Sequence, residues 1–338
     1  MNTNFSIKGP FNSSEQIAGD KNVLWFSDNR LLPLLFGEHD KFIARIEESL
    51  KLQISSRGNR ISIVGEKSAV ALATKTLRTL YQRLEKNLSV DNAEVDAAIR
   101  LASDERSNNK TNSILKEDIS IRTPKAIHMP RSVGQVEYMH SLYEKQMIFG
   151  LGPAGTGKTY LAVAMAVSML IGGEVDRIIL SRPAVEAGER LGFLPGDLRE
   201  KIDPYLAPLF DALHDMLPAN QAMNRLGSGE IEVAPLAFMR GRTLSHSCVI
   251  LDEGQNATKT QMKMFLTRIG EGSKMIITGD PSQVDLPSGV ASGLNHAVHL
   301  LRDVKGVSVV RFGSEDVVRS RLVTNIVRAY ESEERQEG

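Results

Sequence analysis

The stretch Gly150-Leu151-Gly152-Pro153-Ala154-Gly155-Thr156-Gly157-Lys158-Thr159-Tyr160-Leu161-Ala162, GLGPAGTGKTYLA, decides how this chain is read. Gly152, Gly157, Lys158 and Thr159 meet the spacing G-x-x-x-x-G-K-[ST] of a phosphate-binding loop. Glycines let successive backbone N–H groups curl around a β-phosphate where a Cβ would obstruct them. The helix that follows aims its N-terminus at the same anion. Lys158 supplies a point charge to the β- and γ-phosphates, and Thr159 offers a hydroxyl to Mg2+. The expected nucleotide contacts are Gly152, Pro153, Ala154, Gly155, Thr156, Gly157, Lys158 and Thr159. The flanks agree with this reading. Residues 146–150 read as a short buried strand, and 160–171 as an apolar, alanine-rich helix.

Further strand patterns lie at 177–181, 230–233, 247–251, 273–278 and 306–310, mostly with helical patterns between them. That alternation predicts a parallel sheet with crossover helices. Ligands bind such sheets at the carboxyl edge of the strands. The run Cys248-Val-Ile-Leu-Asp-Glu253 ends there in two acids. Asp252 is expected to hold Mg2+, and Glu253 to take a proton from an attacking water. The run Thr278-Gly-Asp-Pro-Ser-Gln283 ends a second strand at the same edge. Gln283 is the candidate to orient water or sense the γ-phosphate, with Asp280 as an acidic partner. Gln135 precedes the first strand of the core, and its amide suits adenine N6 and N7. No N-K-x-D guanine motif occurs, so ATP is the expected nucleotide. Arg182, Arg240, Arg242, Arg319 and Arg321 are candidates to stabilise charge on the γ-phosphate.

Lys plus Arg and Asp plus Glu both number 41, so overall charge does not point to a nucleic-acid partner. The single cysteine, Cys248, excludes an internal disulfide and fits a reducing compartment. The N-terminus lacks a signal-peptide pattern, and the apolar runs are too short to span a bilayer. A cytoplasmic protein with no membrane partner is expected. Residues 1–20 read as a loose leader, 89–120 as a helix and linker, and 331–338 as a tail.

Between leader and linker, residues 21–88 show the order β-α-α-β-β-α. The strands are 23–26, 53–56 and 60–64, and the helices 29–35, 41–50 and 68–86. The order resembles a KH domain, a single-stranded nucleic-acid module. The KH loop is G-x-x-G, whereas Gly37-Glu-His-Asp40 has no second glycine and carries two acids.

Several longer motifs add to the loop: residues 181–189, 191–198, 200–205, Gly241-Arg-Thr-Leu244, Leu251-Asp-Glu-Gly-Gln-Asn256 and Gly279-Asp-Pro-Ser-Gln-Val-Asp-Leu-Pro287. Together they resemble the PhoH family of bacterial ATPases over roughly 120–330. The resemblance implies a RecA-like P-loop core over 121–330 behind a small α+β KH-like domain. It also implies ATP and Mg2+, and a role in RNA metabolism beside a YbeY-type endoribonuclease. Gly254 replaces the usual alanine, and Ser320 stands where histidine is expected. No PIN nuclease domain is seen before the core, so the chain is not expected to cut RNA. Helicases with related cores have a second lobe that contributes arginines, and this chain leaves no room for one. A homo-oligomeric ring, with Arg319 or Arg321 serving a neighbouring subunit, is therefore expected. Three readings stand at this point: an RNA remodeller, an ATP-dependent switch that recruits a nuclease or ribosome, and a small-molecule kinase. An acceptor pocket and an arginine-rich lid would be needed for the kinase.

Overall fold

In the computed structural model, which describes residues 20–104, 119–183, 198–318, 323 and 326, the chain divides into two compact units, 1–104 and 105–338. The smaller unit is built on period-two burial. In β3 (Arg60–Gly65) Ile61 and Ile63 are fully buried, while their neighbours are exposed or half-buried. Strands β1 (Asp20–Trp25) and β2 (Gln53–Arg57) flank β3, both antiparallel to it. Helices α1 (Leu32–Phe36), α2 (Lys41–Leu50) and α3 (Lys67–Glu85) complete the expected β-α-α-β-β-α order. Their apolar residues form one core with the sheet, among them Leu35, Ile46, Leu77 and Leu80. In place of the missing second KH glycine, Asp40 itself adopts left-handed backbone, φ 58°.

A fourth helix, α4 (Asn92–Ser103), starts where the Asp91 carboxylate caps the Glu94 N–H. Val95 and Ala98 of this helix enter the same core. Arg45 binds Asp96 with two guanidinium nitrogens, and Arg83 pairs with Glu94 at 3.2 Å. The small unit thus runs to residue 104 rather than 88, because the helix expected between it and the linker has an apolar face to bury.

The larger unit opens with the short pair β4 (Ile121–Arg122) and β5 (Ile127–His128), then α5 (Val133–Glu144). Its main sheet contains β6 (Met147–Leu151), β7 (Arg177–Arg182), β8 (Ile231–Pro235), β9 (Ser247–Leu251), β10 (Lys274–Gly279) and β11 (Val307–Arg311). Every neighbouring pair is parallel, in the order β11-β6-β10-β9-β7-β8. This is the P-loop α/β core expected from the sequence. Alternate residues feed opposite faces. Ile148, Ile178, Ile250 and Ile276 pack with α6 (Lys158–Ile171) and α7 (Leu198–Met216). Phe149, Ile179, Val249 and Ile277 pack on the other face. There they meet α9 (Lys259–Leu266) and α10 (Gly293–Leu301), while α8 (Ala219–Ser228) precedes β8. Helix α6 buries Ala162, Val163, Ala164, Ala166 and Val167 completely. A helix apolar on all sides is a core helix, and this one fixes the phosphate loop at its N-terminus.

Among the described residues, no helix is long and apolar enough to cross a membrane.

Candidate functional site

The loop between β6 and α6 has the backbone that its glycines permit. Gly152, Gly155 and Gly157 have φ of 143°, 82° and 81°, a region L side chains avoid. A Cβ at Gly152 would lie 2.5 Å from the Phe312 carbonyl oxygen. Lys158 Nζ turns back onto its own loop and donates to the carbonyls of Gly152 at 2.7 Å and Pro153 at 2.8 Å. Burial lowers the Lys158 pKa from its ordinary value, against the opposing pull of Asp280, Asp252 and Glu253. An ammonium that is poorly solvated and held by neutral carbonyls suits an incoming polyphosphate.

The two expected metal-site residues meet. Thr159 Oγ1 donates to Asp252 Oδ1 at 2.6 Å, and Thr278 Oγ1 donates to the same oxygen at 2.7 Å. Asp252 is only 5% exposed and follows β9 directly. One carboxylate with a hydroxyl beside a phosphate loop is a hard-oxygen set that fits Mg2+. Strand β10 lies between β6 and β9, which is how Thr278 reaches Asp252.

Glu253 has φ 52°, a left-handed conformation that is strained for a glutamate. Arg182 Nη2 lies 3.2 Å from its Oε1. Gln255 donates to its Oε2 and uses its own carbonyl to accept the Asp280 N–H at 3.0 Å. Gln283 donates to Asp280 Oδ2 at 2.8 Å, and Ser282 binds Oδ1 through both its N–H and hydroxyl. Lys158, Thr159, Asp252, Glu253, Asp280 and Gln283 thus line one cleft of roughly 460 Å3.

Gln135 sits differently from the expected base contact. It is buried, and both ends of its amide are occupied within the protein. Its Nε2 donates to the Thr156 carbonyl at 2.9 Å, and its Oε1 accepts the Arg131 N–H at 2.7 Å. It braces the phosphate loop and does not line the cleft. Of the arginines, Arg182 enters the cleft, while Arg242 is committed to Glu232. Arg319 and Arg321 lie outside the described residues. Val318, just before them, donates its N–H to the Gly155 carbonyl at 2.8 Å. The chain therefore meets its own phosphate loop one residue ahead of Arg319.

The roles of Thr278 and Gln255 were not legible, although both stood inside quoted motifs. Neither spacing nor residue type tells which carboxylate a strand-end hydroxyl or amide will meet. Asp211 and Asp215 of α7 also line the cleft. They are one helical turn apart, but nothing local aims that face at the loop.

A family model described as PhoH-like protein matches residues 127–331. A PhoH-like protein of Bacillus subtilis (strain 168) is 48% identical over 88% of this chain and 93% of its own length. Protein PhoH of Escherichia coli (strain K12) is 48% identical over 60% of this chain and 58% of its own. A crystal structure of FlhF complexed with GTP and Mg2+ aligns with 75% of this chain and 88% of that one. Its identity is 13% and its TM-score 0.18, so that likeness adds nothing to the fold described above. The family match spans the whole parallel sheet and its phosphate loop, and the Bacillus relative extends it through most of the smaller unit; the protein belongs to the PhoH-like family and carries that family's nucleotide-binding core.

Proposed function

We propose that this protein binds ATP with Mg2+, hydrolyses it, and uses the cycle in cytoplasmic RNA metabolism. The observation that carries the reading is the Thr159–Asp252 hydrogen bond, with Glu253 next in the chain and Lys158 beside it. A strand-end carboxylate bonded to the phosphate-loop hydroxyl is the arrangement a nucleotide-bound Mg2+ requires. Thr159 and Asp252 would hold that ion, which when bound neutralises charge on the β- and γ-phosphates. Lys158 exchanges the Gly152 and Pro153 carbonyls for phosphate oxygens. Glu253 takes the proton of the attacking water onto its carboxylate, while Arg182 and Gln255 hold that carboxylate in place. Gln283, positioned by Asp280, orients the water or reports the γ-phosphate. Arg319 or Arg321 supplies further charge, from this subunit or from a neighbour in a homo-oligomeric ring.

A second reading is a switch that recruits an endoribonuclease of the YbeY type or the ribosome. It is favoured by the same contacts. Lys158 and Glu253 are both engaged by protein groups, so nucleotide entry must rearrange the loop. Steady-state phosphate release from ATP, with and without single-stranded RNA, tests both readings. Glu253→Gln should keep nucleotide binding and lose turnover. RNA stimulation supports a remodeller, whereas unchanged turnover supports the switch. A wild-type protein that binds ATP without releasing phosphate refutes the enzymatic reading.

A further inference from the structure

The smaller unit has an open sheet face outside the nucleotide cleft. Register places Trp25 opposite Arg60, and Arg60 opposite Arg57. Val23, Ser62 and Ser55 form the next row, and Lys21, Val64 and Gln53 the third. Leu24, Ile61 and Ile63 point into the core, so by alternation these rows share the opposite face. The face carries three cations, Lys21, Arg57 and Arg60, and no acid. Trp25 is 66% exposed, with the Arg60 guanidinium 5.8 Å from its ring centroid. The ring also borders a groove of roughly 460 Å3 along edge strand β1, which reaches Arg78, Gln82 and Glu85 of α3.

We propose that this face binds single-stranded nucleic acid, with one base stacked on Trp25 and the phosphates led across Arg60, Arg57 and Lys21. Any base offers a π-face to an exposed indole, and a cation row tracks a phosphate backbone. A protein-docking patch also favours aromatics and Arg, but its centre is apolar and depleted in Lys and Ser. Here Trp25 stands among Ser55, Ser62, Gln53 and three cations, with Val23 and Val64 half-buried in the same rows. The loop between α1 and α2 is the less favourable site, because Glu38 and Asp40 are exposed there and repel phosphate. The proposal deepens the RNA half of the function proposed above and does not depend on hydrolysis.

Trp25 is the only tryptophan in the chain, so intrinsic emission reports this site alone. The full-length protein would be titrated with a short oligouridylate and with its deoxy counterpart. Stacking should quench the emission saturably. Trp25→Ala should weaken binding by roughly fivefold to a hundredfold, and Trp25→Phe by much less. Engaging three cations predicts a log–log salt slope of about −2. Arg57→Gln with Arg60→Gln should flatten that slope to about −0.7. RNA-independent ATP turnover of Trp25→Ala should equal wild type, so loss of stacking and loss of hydrolysis remain distinguishable. Binding that leaves emission and the Trp25→Ala affinity unchanged would place nucleic acid elsewhere and overturn the proposal. Absence of binding would also overturn it. So would quenching that tracks protein concentration without nucleic acid, which would mark self-association through this face.

Discussion

Replacing Gln135 separates a loop brace from a base reader. In Gln135→Ala the Thr156 carbonyl loses its donor and the Arg131 N–H its acceptor. Thr156 is fully buried, and an orphaned buried polar group costs about 1–3 kcal/mol. The Arg131 N–H is less enclosed, so its lost bond costs about 0.5–1.5 kcal/mol. The truncated side chain also leaves space beside Gly157, whose Cβ position lies 2.8 Å from Gln135 Nε2. A total near 3 kcal/mol shifts the unfolding midpoint of a unit this size by roughly 6–12 °C. The assay is thermal unfolding without nucleotide, followed by a comparison of ATP and GTP affinity. Gln135→Glu should be nearly as damaging, because a carboxylate cannot donate to the Thr156 carbonyl. A midpoint within about 2 °C of wild type, together with a lost preference for ATP over GTP, would refute the brace and restore the base-contact reading.

Asp252→Asn removes the charge that Thr159 and Thr278 share. Wild type at a nucleotide concentration a hundred times Kd gains about 2.7 kcal/mol of stability; the variant in Mg2+, or wild type in EDTA, should gain less than a third of that in a thermal-shift titration. Lys158 gives a pH prediction. A cation whose folded pKa lies below its ordinary 10.5 disfavours the fold while charged; that penalty is full below the folded pKa, fades as pH rises from there toward 10.5, and is gone above it. Phosphate raises the folded pKa again, so nucleotide binding just below pH 10.5 should take up protons, read as a buffer-dependent calorimetric enthalpy. Cys248 is fully buried in β9 and burial pushes its thiol up to about 12. A thiol reagent should therefore label the native protein only at the rate of unfolding, and rapid labelling would contradict the sheet order.

The phosphate loop was readable because its chemistry is local. Three glycines at fixed spacing set the backbone, and Lys158 and Thr159 follow within the same turn. The main strands were readable for a related reason: buried parallel strands are continuous apolar runs, and observed limits differ from expected ones by two residues at most. What a sequence does not encode locally is who meets whom across the fold. Asp252 gains Thr278 only because β10 lies between β6 and β9. Gln135 is claimed by Thr156 only because α5 packs against the loop. The helix at 92–103 joins the small core through Val95 and Ala98, although its flanks read as linker. Trp25, Arg57 and Arg60 share a face only once antiparallel register sets them opposite one another. Sequence by itself determined the nucleotide loop and the strand-rich core, since backbone preference and hydrophobic period act over a few residues. Tertiary structure alone decided the partners of each polar group, since hydrogen bonds and burial depend on elements distant in the chain.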